Sequence, residues 1–188
     1  MKKLLTAMLI CSLLLFSTVF AGTYPDVSDD IWYAKAIETV SRLGFFTGYE
    51  DGTFLPDKTI TRAEFAAIIC RFREYPQDQS AGVFSDVPST HWAKGYINGA
   101  YNYGIINGDG AGHFMPEQTL TFEQSVKMIV CALGYKSNAE SAGGYPGGYL
   151  SVAKNLGITD GLTFANQDGA PRWALAVMLY HATGVKLQ

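Results

Sequence analysis

A repeat with a period of 60 residues constrains this chain more than any other feature. Moving the sequence by 60 places brings Asp26-Val27 onto Asp86-Val87, Trp32 onto Trp92 and Ile37 onto Ile97. Gly44, Gly48 and Gly52 fall on Gly104, Gly108 and Gly112. Phe54, Pro56, Thr59 and Thr61 fall on Phe114, Pro116, Thr119 and Thr121, all without a gap. A third, worn copy follows. Gly157 and Gly161 match Gly44 and Gly48 at a shift of 113, and Arg172 matches Arg62 at 110, so its loop is shorter by three residues. Tyr145 stands where the first two copies have tryptophan, and no Asp-Val pair precedes it. Such a chain is expected to fold as one supersecondary unit stacked on itself.

Each copy reads as helix, loop, helix. In Trp32–Leu43, Trp32, Ala36, Ile37, Val40 and Leu43 recur at helical spacing. Ser28 or Asp29 is the expected cap and Gly44 the terminator. Trp92–Tyr103 and Tyr149–Leu156 repeat the pattern more weakly. A glycine-punctuated loop follows, with Phe54-Leu55-Pro56 as a short extended segment. A second helix is expected from Thr61 to about Arg73, with Phe65, Ile68, Ile69 and Phe72 on one face. Val126, Ile129, Val130 and Leu133 form the same face in copy two, and Leu175, Met178 and Leu179 in copy three. One helix pair this small cannot bury its apolar stripe, but three around a common axis can. The fold class is therefore all-α: three tandem helix–loop–helix repeats in a pseudo-threefold, three-pronged unit, with grooves between copies and short extended segments in the loops.

The N-terminus stands apart. Lys2 and Lys3 precede a nearly continuous apolar run, Leu4 to Phe20, and Val19-Phe20-Ala21 supplies the small residues of a cleavage site. Residues 1–21 read as a signal peptide, since the run is short for a spanning helix of about 20 residues. A retained anchor is the competing reading; after cleavage no membrane partner is expected. Removing Lys2 and Lys3 takes the formal charge from −3 to −5, and an acidic chain without a basic run is a poor partner for nucleic acid. Cys70 and Cys131 lie inside apolar helical runs, where the simplest reading is two small buried hydrophobes and a disulfide is the alternative.

The motifs of copy one run from YPDV through GYEDGTFLP to TRAE, and those of copy two from FSDV through HWA and NGDGAGHFMP to LTFEQ. In that order and spacing they resemble the S-layer homology family, with copy three similar to a degenerate module. The resemblance implies modules at 22–79, 80–139 and 140–188. It implies a non-catalytic, secreted anchor at the cell wall or S-layer, whose inter-module grooves bind peptidoglycan-linked secondary cell-wall polysaccharide, often pyruvylated. It also implies that the arginine of TRAE, Arg62 here, contacts the pyruvyl carboxylate.

The TRAE stretch divides under physical reading. Thr61 and Glu64 form a capping box, and Thr121 with Gln124 keeps it. Copy three has Pro171 and Ala174 there but keeps Arg172. An arginine at the first helical position is mildly unfavourable beside the macrodipole, so a ligand carboxylate on its fork is the expected compensation. A solvated side chain, or a salt bridge to Asp26 or Asp57, is the alternative. Phe122 replaces the arginine in copy two and cannot bind a carboxylate, which leaves at most two anion-competent grooves.

Trp32 and Trp92 are expected in the core or a groove wall, with stacking on a pyranose face as the alternative. Asp26 and Asp86 are expected to position backbone amides. Gly48, Tyr49, Glu50, Asp51 and Gly108 are expected at the groove lips. No metal or cofactor is expected: the EF-hand ligand series and the Gly-Lys-Ser/Thr ending of a phosphate loop are both missing. An enzyme is disfavoured, because Glu64 is explained by capping and Glu123 faces Ala63 at the matching place. The remaining alternative is an envelope-assembly or protein-interaction module, with other envelope proteins as partners.

Overall fold

The computed structural model describes residues 24–188, so the expected signal peptide lies outside the described residues. Those residues form seven helices and no sheet: α1 Ala34–Arg42, α2 Arg62–Arg73, α3 Lys94–Asn102, α4 Phe122–Ala132, α5 Lys136–Ser141, α6 Gly147–Asn155 and α7 Arg172–Ala182. The all-α expectation holds. None of these helices is long and apolar enough to cross a membrane.

Both capping boxes form. Thr61 Oγ1 accepts from Glu64 N–H at 3.2 Å while Glu64 accepts from Thr61 N–H at 2.6 Å, and Thr121 with Gln124 repeats this. Gly44, Gly104 and Gly157 end the first helices with φ of 75°, 70° and 73°, which glycine adopts without steric cost. The expected cap on α1 does not form. Neither Ser28 nor Asp29 caps it; the helix starts later, at a Tyr33 N-cap that makes no side-chain bond.

The helices pair between copies rather than within them. α2 packs on α3, α4 on α6, and α7 on α1. Each copy's first helix therefore covers the second helix of the copy before it, and α1 closes the ring on α7. The shared core is built from this exchange: Ile37, Phe65, Ile69, Ile97, Ile129, Tyr149, Leu175 and Met178 are all fully buried or nearly so. α7 is buried from Ala174 to Leu179, as expected of a helix apolar all round. Cys70 and Cys131 are free, buried thiols.

At the axis, three short extended segments meet. Antiparallel bridges join Thr59 to Pro171, Thr61 to Thr119 and Thr121 to Gly169. Beside them the N-terminus of each second helix donates into the next copy's loop. Arg62 and Ala63 N–H bond Gln118 and Pro116 carbonyls; Phe122 and Glu123 bond Asp168 and Asn166; Arg172 and Trp173 bond Lys58 and Pro56. Orphan donors of the first helical turn thus become the inter-copy fasteners.

Candidate functional site

The fasteners set the residue after each N-cap against the next copy's loop. Arg62 Nε donates to Phe114 O at 2.9 Å and Nη2 to Asn107 O at 3.4 Å. Its guanidinium carbon lies 4.6 Å from the Phe114 ring centroid. Arg172 does the same one copy on: Nε donates to Phe54 O at 2.6 Å and Nη2 to Thr47 O at 3.0 Å, with the Phe54 centroid 4.4 Å away. Neither arginine takes the solvated or salt-bridged alternative; both tie two copies together through loop carbonyls. Burial lowers both pKa values, yet an arginine stays charged. The Nε and Nη2 edge is occupied in each, while Nη1 and the second hydrogen of Nη2 form an end-on fork with no partner among the described residues.

Arg62 and Arg172 each line a cleft, and each cleft draws on all three copies. The Arg62 cleft adds Asn107, Gly108 and Met115 from the copy-two loop, Gln124, Lys127 and Met128 from α4, and Tyr145 from copy three, around a cavity of about 180 Å³. The Arg172 cleft adds Phe46–Glu50 from the copy-one loop, Glu64, Ala67, Ile68 and Arg71 from α2, and Trp92 from copy two, around about 590 Å³.

Asp26 and Asp86 do position amides. Asp86 Oδ1 and Oδ2 accept from Phe114 and Met115 N–H at 2.8 and 2.7 Å, and Asp26 accepts from Phe54 and Leu55 N–H at 2.9 and 2.7 Å. These bonds hold Leu55 and Met115 at φ of 53° and 60°, a region that is unfavourable for side chains of this kind. The carbonyls that receive the arginines, on Phe54 and Phe114, belong to the same strained corners. Burial raises the Asp86 pKa, but the two amide bonds outweigh it and leave the carboxyl below its ordinary value.

The other expected site residues separate. Gly48 and Gly108 line the two clefts, and a side chain on either would clash with Tyr24 and Thr53 or with Phe84 and His113. Tyr49 lines the Arg172 cleft with Arg172 4.9 Å from its ring centroid. Asp51 is exposed, lines neither cleft, and spends its carboxylate on Thr53 within its own loop. Trp32 and Trp92 are 60% and 57% exposed, so they are walls, not core. Trp92 lines the Arg172 cleft.

Trp32 belongs to the third interface, where rings fill the equivalent place. Phe122 packs at a tilt on Phe164 at 5.2 Å, Phe164 meets Trp173 at 5.7 Å, and Trp173 meets Trp32 edge-on at 5.5 Å and stacks on Tyr33 at 5.0 Å.

Among the cleft residues that the sequence reading does not single out as such are Lys127, Tyr145 and Gln124. Lys127 stands opposite Ala67 in the repeat, so matching the copies passes over it; the signal was a lone cation in the apolar stretch Val126–Leu133. It is half-buried, with Nζ 5.4 Å from the Tyr145 centroid, and burial lowers its pKa. Tyr145 takes the tryptophan's place, and its hydroxyl donates to the buried Glu123 at 2.8 Å. Gln124, already assigned to capping, also faces the cavity.

Three helix pairs exchanged around an axis, with clefts each built from all three copies, define a tandem-repeat, all-α module protein. In its first two repeats, residues 23–66 and 83–124 match the S-layer homology domain family. The whole chain is 34% identical to a cell surface protein of Thermoanaerobacter kivui and 34% identical to a middle cell wall protein of Brevibacillus brevis, covering 25% and 18% of them. Over 57% of its length it is 38% identical to a cellulosome-anchoring protein of Acetivibrio thermocellus, covering 25% of that protein. The chain thus spans a quarter or less of the length of these relatives.

Proposed function

We propose that the chain is a non-catalytic cell-wall anchoring module that binds peptidoglycan-linked secondary cell-wall polysaccharide, an anionic and pyruvylated glycan, in its inter-repeat clefts. In this reading residues 1–21 are a signal peptide, 22–79 and 80–139 are modules, and 140–188 are a third, degenerate module. The protein works at the cell surface, in the wall or S-layer. The S-layer homology match and the surface, wall and anchoring names of the relatives support it. The observation that carries it is the Arg62 cleft: a guanidinium with its end-on fork unused, a second cation beside it, and no acid in the lining.

The test is retention on purified wall sacculi before and after removal of the secondary polymer. Retention that requires the polymer and falls in Arg62→Phe is expected. Retention indifferent to the polymer overturns the reading, and release of reducing sugar would replace it with a hydrolase. A second reading, an envelope-assembly module, draws on the third interface, which rings fill. It predicts capture of envelope proteins without sacculus binding.

A further inference from the structure

Resting on that reading, we infer that Glu123 is a positioning residue that couples the third interface to the Arg62 cleft: it holds Tyr145 in place as the cleft wall and is itself held by Gln167 of the copy-three loop. Glu123 lines neither cleft and is 5% exposed. Its Oε1 accepts from the Tyr145 hydroxyl at 2.8 Å and from the Gln167 side-chain amide, while its own N–H donates to Asn166 O at 3.1 Å. Tyr145 walls the Arg62 cleft. Gln167 belongs to the loop whose Phe164 packs on Phe122. One acid therefore grips a piece of each interface.

Folding alone does not require an acid at this place. Equivalent amides bond equivalent carbonyls at the three interfaces: Ala63 to Pro116, Glu123 to Asn166 and Trp173 to Pro56. Those bonds fix the register. The helix position reads Ala63, Glu123, Trp173, and the loop residue after the receiving carbonyl reads Glu117, Gln167, Asp57. Where the loop presents an acid, the helix presents an uncharged side chain. Where the helix presents the acid, the loop presents an amide that can donate to it. Tyr145 is a third departure from the repeat, since it replaces tryptophan and supplies a hydroxyl to Glu123. Ala63 is fully buried, so a methyl group suffices here. A buried carboxylate with no cation paired to it among the described residues is costly unless it is hydrogen-bonded, and both of its side-chain donors come from copy three. Burial and the bond to Glu123 raise the Tyr145 pKa, which keeps that hydroxyl a donor. The bland account of Glu123 is an interface strut; it predicts lost stability with unchanged affinity.

The probe is soluble secondary polysaccharide released from purified wall sacculi, titrated into the protein by calorimetry and NMR. Glu123→Ala should weaken binding about tenfold, the scale of one lost charge-assisted bond. Glu123→Gln keeps an acceptor for both donors and should stay within about threefold of the unaltered protein. Gln167→Ala, at an exposed loop position outside the cleft, should weaken binding at least about threefold. Tyr145→Phe cuts the link, so in that background Gln167→Ala should change affinity by less than about 1.5-fold. The Gln167 side-chain amide signal should shift on adding polysaccharide to the unaltered protein and stay still in Tyr145→Phe. Affinity untouched by Gln167→Ala overturns the inference, as does an equal loss with and without the Tyr145 hydroxyl, or a silent Gln167 signal. Should Glu123→Ala not fold, the cycle between Gln167→Ala and Tyr145→Phe decides alone. Polysaccharide binding that ignores Gln167 sinks only this inference, whereas an unaltered protein that binds no polysaccharide sinks the anchoring reading with it.

Discussion

The Arg62 interface and the Phe122 interface begin alike and end differently. In both, the first two amides of a helix bond carbonyls of the next loop. In both, the first helical side chain covers a phenylalanine of that loop, Phe114 or Phe164. The Phe114 loop also has an aspartate from outside it, Asp86, that holds a left-handed corner; the Phe164 loop has no such corner, and its Ala165 amide bonds Asp168 of the same loop instead. The fold therefore asks for a side chain that covers the ring, and Phe122 shows that an apolar one suffices. What arginine adds is a charged side chain that lines a cleft with donors to spare. This replaces part of the sequence argument, in which the arginine was the residue that folding left unexplained. It has a folding role as a tie, and its end-on fork is the surplus.

The largest effect is expected at Arg172, 5% exposed. Arg172→Ala strips two charge-assisted bonds from the Phe54 and Thr47 carbonyls and opens a gap over three rings. A loss of about 3–4 kcal/mol in urea unfolding is expected. A loss below about 1 kcal/mol would mean that the tie contributes little and that the two kinds of interface are closer than the geometry says.

Asp86→Ala comes next. It leaves the Phe114 and Met115 amides without their acceptors and Met115 in a left-handed conformation with nothing to hold it. About 2–3 kcal/mol is expected, together with weaker sacculus binding, because Phe114 O no longer aims Arg62. Met115→Gly in that background should recover part of the stability. No recovery would show that the corner is unstrained.

Arg62 separates tie from ligand contact most directly. Arg62→Ala should cost about 1–2 kcal/mol, less than Arg172→Ala because the side chain is less buried. Arg62→Phe, which copies Phe122, should stack on Phe114 and recover most of that loss, yet lose retention on sacculi as completely as Arg62→Ala. Retention that survives in Arg62→Phe would break the comparison, since the polar end would then do nothing that a ring cannot.

The period of 60, the glycine stops and the capping boxes were legible in the chain because they are local: each depends on residues within one turn or loop. The exchange of helices was not. A repeat defines the unit but not which neighbour covers it, and α1 on α7 joins the two ends of the chain. The clefts were half legible. Arg62, Arg172, Gly48 and Gly108 stand out on matching copies and Tyr49 by its place in the loop, whereas Lys127 is hidden by matching, which notices what agrees. Asp51 was placed at a lip because it sits in the correct loop, but sequence does not say which way a loop residue faces.

The smallest expected effect concerns acid, and it discriminates between the loops that face arginines and the one that faces Phe122. Asp51, Asp86 and Asp109, all in the arginine-facing copies, have carboxyls held below their ordinary values. Asp109 goes furthest, to about 2, because it accepts from the His113 amide and ring and from the Ala111 amide. A carboxyl with a folded pKa below its unfolded value binds protons more weakly when folded. Its stabilisation is complete above the unfolded value of about 3.9 and is lost as pH falls through the folded value. Stability should therefore decline below about pH 4, with part of the loss extending to about pH 2. In an NMR titration the Ala111 amide should follow Asp109 with a midpoint near 2, and the Met115 amide should follow Asp86 below the usual carboxylate range. Asp109→Asn should remove the Ala111 response and leave that of Met115. A Met115 midpoint at or above about 4 would mean that the Asp86 corner is not held as tightly as its bond lengths indicate, and the arginine-facing loops would then lose the feature that distinguishes them from the third.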